Sequence, residues 1–165
     1  MLVRRTVRAV LVAMMLTLTI TGTLMAGVGD GLKGTGDTEH ILLKALVQLN
    51  LTDAQKSAIA GILKGHKDEL KSDIQAVVDA RVQLFEAIHA SIYDETKVRA
   101  LSRVLANKEE ELAVLRAKIV NEVNSVLTVE QKAILEQARE DFAAMIKTKV
   151  EKILTLINTW ISKNS

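Results

Sequence analysis

Along most of this chain apolar residues recur every three or four positions, the spacing that keeps them on one side of an α-helix. A short first helix is expected from near Thr38 to Asn50, carried by Ile41, Leu42, Ala45, Leu46 and Leu49. A second stripe runs through Ile59, Ile62, Leu63, Leu70, Ile74, Val77, Val78, Val82, Phe85, Ile88 and Ile92, which predicts roughly 40 residues or about 60 Å of helix. Gly61 and Gly65 interrupt it at about 1 kcal/mol each relative to Ala, so a bend or a close helix approach is expected there. Tyr93-Asp94 closes this helix, and the third stripe is Val98, Leu101, Leu105, Leu112, Leu115, Ile119, Val123 and Val126. A fourth places Ile134, Leu135, Ala138, Phe142, Met145, Val150, Ile153, Ile157 and Trp160 inward.

Local signals mark where these helices begin. Thr52 and Gln55 form a T-x-x-Q capping box, in which the Thr hydroxyl accepts from the third-position amide and the Gln side chain reaches back to the cap amide. Thr128 and Gln131 repeat it ahead of the fourth helix, and Asp94 is suited to cap the third. Asp53 adds negative charge at the positive end of a helix dipole.

The fold class is therefore all-α: four long amphipathic helices. Stripes this narrow on helices this long do not readily close a compact ball, so an elongated hairpin or cradle-like fold is expected, as an intertwined homodimer. An ordinary up-down monomeric bundle is the alternative. Composition agrees, since the chain has no Pro, no Cys and almost no aromatic residues, while helix formers dominate.

The first 37 residues carry a different pattern. Arg4, Arg5 and Arg8 precede an apolar run from Ala9 to Ile20 and a stretch of mainly small residues to Ala26, which reads as an export signal over 1-26 cleaved after Ala26. An uncleaved membrane anchor is the alternative, because Ala9 to Ala26 falls only slightly short of a span. Residues 27-37, GVGDGLKGTGD, hold five glycines and no apolar period, the composition of a flexible segment; 38-165 is the helical domain. The expected destination is the periplasm. Without cysteine there is neither a disulfide framework nor a lipid-modified start. Loss of 1-26 leaves 19 basic against 20 acidic residues, a formal charge of −1, and with so few aromatics for stacking no nucleic-acid partner is expected.

Leu49 to Lys71 reads LNLTDAQKSAIAGILKGHKDELK and Leu127 to Leu135 reads LTVEQKAIL. These two LTxxQ motifs, supported by the aromatic-Asp turn at Tyr93 to Glu95, resemble those of the Spy/CpxP family over roughly residues 40 to 142. The resemblance implies a cradle-shaped homodimer that holds unfolded or misfolded envelope proteins without nucleotide or cofactor. Its CpxP-like members imply instead an envelope-stress regulator that binds a sensor kinase, and some members imply metal sensing. On matching positions the client-binding concave face falls on Ile59, Leu63, His66, Lys67 and Leu70, with Arg116, Val120 and Val123 opposite. Lys64, Lys67 and Lys71 would give that face a basic rim. The chain departs from the family in its continuous SDIQAVVDARVQ segment and in an apolar tail, Ile153 to Ile161, which could lengthen a dimer interface or cover the groove.

Other candidate chemistry is sparse. A metal site needs three or four converging ligands, and His40, His66 and His89 form no H-x-x-x-H pair, so they are weak candidates only. Lys108-Glu109-Glu110-Glu111 reads as solvated surface rather than a docking patch, and Trp160 as a packing residue rather than a membrane-interface anchor. No nucleophile with a base at workable spacing and no phosphate-cradling glycine loop is present, so no enzyme is expected.

Overall fold

The computed structural model describes Ile41, Lys44, Ala45 and residues 47-164. The expected signal, the glycine-rich segment and His40 lie outside these residues. All the described secondary structure is helical. Helical residues ending at Leu49 lead into α1 (Asp53–Gly65), followed by α2 (Lys67–Ile88), α3 (Glu95–Ser125) and α4 (Val129–Asn164). None of the described helices is long and apolar enough to cross a membrane.

The leading helix stops at Asn50, which takes a positive φ of 41°. Asn is the residue besides Gly that best tolerates this left-handed cap, so the chain can turn sharply into the first LTxxQ motif. The expected bend at the glycines is present as a joint at His66, between α1 and α2, where ψ opens to 3°. Hydrogen bonding runs through it, from the His66 amide to Ile62 and from the Leu70 amide to His66, so the helix is jointed rather than broken. Among the described residues the close approach does not occur, since a Cβ on Gly61 or Gly65 would meet nothing within 4 Å. The second helix also ends earlier than Tyr93, at Ile88, where the His89 amide bonds the Phe85 carbonyl. Asp94 caps α3 as expected, its carboxylate accepting from the Lys97 amide at 2.9 Å.

The described chain forms two compact units. One contains the described residues to Lys56 together with those from Leu127 onward. Its core is Ala45, Leu49 and Ala138, with Ile41, Leu51, Ile134 and Leu135 packed against them. Beyond Ile153 every described residue of α4 is exposed, which corrects the expectation that Ile157 and Trp160 point inward; Trp160 is 68% exposed, and Val150 is also open. Apolar spacing continues along this helix past the point where the core of its unit ends.

The other unit is Ser57 to Val126. Here α2 and α3 pack along one another as an antiparallel hairpin, with His66 bonded to Glu122 and Arg81 to Glu109. Its interior takes Ile59, then Leu70, Val77, Ala80 and Ala87 from α2, and Leu112, Leu115 and Ile119 from α3. The α3 stripe follows its sequence pattern. The α2 stripe does not: Ile74, Val78, Val82, Phe85 and Ile88 are exposed although the pattern placed them inward with Val77. The interior face of α2 is set by small residues at heptad-like spacing, because alanines let two helices approach where Phe or Ile would hold them apart.

Candidate functional site

Both LTxxQ motifs form the capping boxes that their spacing predicts. The Thr52 amide donates to Gln55 Oε1 at 3.0 Å, and the Gln55 amide donates to the Thr52 hydroxyl at 3.2 Å. The Thr128 amide donates to Gln131 Oε1 at 2.9 Å, and the Gln131 amide to the Thr128 hydroxyl at 3.3 Å. What spacing could not tell is that the two boxes meet. Gln55 Nε2 donates to Gln131 Oε1 at 2.7 Å and Gln131 Nε2 donates back to Gln55 Oε1 at 3.1 Å, a reciprocal amide pair between positions 76 apart in sequence. The second Nε2 hydrogen of Gln131 is taken by the Leu49 carbonyl at 2.9 Å, satisfying an end of the leading helix that burial would otherwise leave orphaned.

This arrangement explains why the motif requires Gln. A Glu closes a capping box equally well, but two carboxylates here would face each other and neither could donate to Leu49. The cluster is a structural fastener within one unit and offers no free reactive group. Beside the two boxes, the Glu130 carboxyl is held below its usual range by its own backbone amide and by Thr128, and that of Asp53 by a hydrogen bond from Lys56.

The residues expected to form a client face lie in the Ser57–Val126 unit, and the structure divides them. Ile59, at 2% exposure, is core; Leu70 and Arg116 are buried too. These three are corrected from open-face to interior positions, because they occupy the side on which α1 to α3 bury their apolar surface. Leu63, His66, Val120 and Val123 are half-buried, and Lys67, Lys64 and Lys71 are exposed.

A different apolar surface is open. Ile74, Val78, Val82, Phe85 and Ile88 follow one another on α2 at steps of four, four, three and three, and all are exposed, Phe85 to 56% and Ile88 to 57%. Ile92 and Tyr93 continue the apolar character into the turn. Phe85 stacks on His89 with ring centroids 4.0 Å apart. Five large side chains in a row amount to several hundred Å² of apolar surface, the scale that marks an interaction site. Sequence reasoning missed this face because α2 carries two apolar stripes, and the larger residues were assigned to the core. The usable signal was the set Leu70, Val77, Ala80, Leu84 and Ala87, which already supplied an interior seam.

Among the described residues, which include His66 and His89, no group of three or more His, Cys, Asp and Glu is placed to hold an ion. His66 Nε2 lies 3.0 and 3.1 Å from the two carboxylate oxygens of Glu122, with Glu69 3.8 Å from Nδ1. His89 Nδ1 is engaged by the Phe85 carbonyl at 2.8 Å. Within the charge run Glu109 pairs with Arg81 and Glu111 with Lys108, leaving a salted surface rather than a free acidic patch.

Paired capping boxes locked through their glutamines, in an all-α chain with two long hairpin helices, define the class to which this protein belongs. A family model described as LTXXQ motif family protein matches residues 38–139, and the chain belongs to this Spy/CpxP-type motif family. No solved structure matches the chain.

Proposed function

We propose that this protein is a non-enzymatic, ATP-independent chaperone-like protein of the periplasm that binds unfolded or misfolded envelope proteins. The observation that carries the reading is the exposed Ile74–Val78–Val82–Phe85–Ile88 stripe, supported by family membership and by the export-like first 26 residues. A stripe of exposed aliphatic and aromatic side chains with few matched polar partners favours weak, unspecific capture of greasy segments. Exposed Lys67 and Lys71, nearer the start of the same helix, would steer acidic or amphipathic clients. A homodimer belongs to the same proposal.

The test is aggregation of a reduced or heat-unfolded client mixed with purified protein, without ATP. Suppression near equimolar ratio is expected, and Val82→Ser with Phe85→Ser should remove most of it at unchanged helicity. Absence of suppression at every ratio overturns the proposal. A second reading, an envelope-stress or sensor-kinase regulator, draws on the exposed apolar tail of α4, Leu154 to Ile161. Under that reading, deleting the tail abolishes partner binding and spares client protection.

A further inference from the structure

Arg116 is anomalous within the α2–α3 hairpin. It sits on α3 between Leu112, Leu115 and Ile119, all buried, and is itself only 8% exposed. Its Nε and Nη1 are buried and make no hydrogen bond. Burial first, and then the charge of Arg81, push the Arg116 guanidinium below its ordinary range. Glu109, two turns earlier on α3, is paired with Arg81 at 2.6 Å. The hairpin register, with 66 bonded to 122 and 81 to 109, sets Asp73 about opposite Arg116, yet neither orphaned atom bonds it.

Covered guanidinium donors without a partner are costly, and native interiors rarely leave them so. An oxyanion beside Arg116 would pair with Nε and Nη1. We propose that Arg116 is a binding site for a single carboxylate-class oxyanion, and that its occupation fastens α2 to α3. A carboxylate is favoured over phosphate because Leu112, Leu115 and Ile119 flank the site, and one charge is cheaper to desolvate there than two. Because the donors are covered, binding must part the side chains around them, which couples occupancy to hairpin stability. The proposal does not depend on client binding.

The experiment uses the full chain. Thermal unfolding is followed in sodium acetate, sodium phosphate and sodium chloride at matched ionic strength, together with the ¹⁵N resonance of Arg116 Nε. Acetate is expected to raise Tm saturably by on the order of 3 °C over chloride, more than phosphate does, and to shift the Nε resonance along the same curve. Arg116→Met should abolish the acetate-specific part while matching or exceeding the wild-type Tm in chloride. The Nε titration needs no variant, so it decides the matter even if Arg116→Met folds poorly. Acetate and chloride giving the same Tm with an unmoved resonance overturns the site, and a response to phosphate alone overturns the carboxylate assignment.

Discussion

Replacing Gln131 by Met keeps the length of the side chain and removes every polar contact it makes. In the wild type its Oε1 accepts from the Thr128 amide and from Gln55, and its Nε2 donates to the Leu49 carbonyl and to Gln55. Loss of the box half costs about 1 kcal/mol, as for other N-terminal caps. Leaving the buried Leu49 carbonyl unpaired adds about 1–3 kcal/mol, so Gln131→Met should lose about 2–4 kcal/mol in all. For a chain of this size that lowers Tm by roughly 5–15 °C. Gln131→Glu sharpens the test, because a carboxylate preserves the box acceptor but cannot donate to Leu49 or Gln55. It should destabilise at least as much at neutral pH. Urea unfolding followed by circular dichroism measures each variant, and a Gln55→Met, Gln131→Met double-mutant cycle should return a coupling of about 0.5–3 kcal/mol. If both single variants at 131 stay within about 0.5 kcal/mol of wild type, the fastener is decorative and the reasoning fails.

Four further outcomes are expected. Ile119→Ala, at a fully buried position, should cost about 2–5 kcal/mol, whereas Val82→Ala on the exposed stripe should change stability little; equal costs in urea titrations would mean the α2 faces are misassigned. Asp94→Ala should lose about 1 kcal/mol and fray the start of α3, read as faster amide exchange at Lys97. Trp160 should emit as a water-exposed indole and be quenched freely by acrylamide; a protected, blue-shifted emission would show the α4 tail covered by a partner. Asp53 and Glu130 have folded-state pKa values below their unfolded ones, so their contribution is complete above the unfolded values and fades as pH falls through the lowered ones. Asp53→Asn with Glu130→Gln should therefore flatten the acid side of the stability profile below about pH 4, and an unchanged profile would contradict this.

The sequence by itself determined the helices, because their causes are local. Thr52 with Gln55, Thr128 with Gln131, and Asp94 each close hydrogen bonds within three residues, so spacing alone predicts them. The regular α3 stripe was legible for a similar reason: Leu101, Leu105, Leu112, Leu115 and Ile119 recur at helical spacing on one face. Only the tertiary structure decided which face of α2 is interior, since Val77 and Val78 are adjacent and either belongs to a complete stripe at helical period. Alanines at 80 and 87 settle it, through a steric limit on how close α3 can come that exists only once α3 is there. The same holds for the Gln55–Gln131 pair, which brings together residues 76 apart in sequence, and for the burial of Arg116. Contacts of that kind depend on where helices cross, and hydrophobic period carries no record of the crossing.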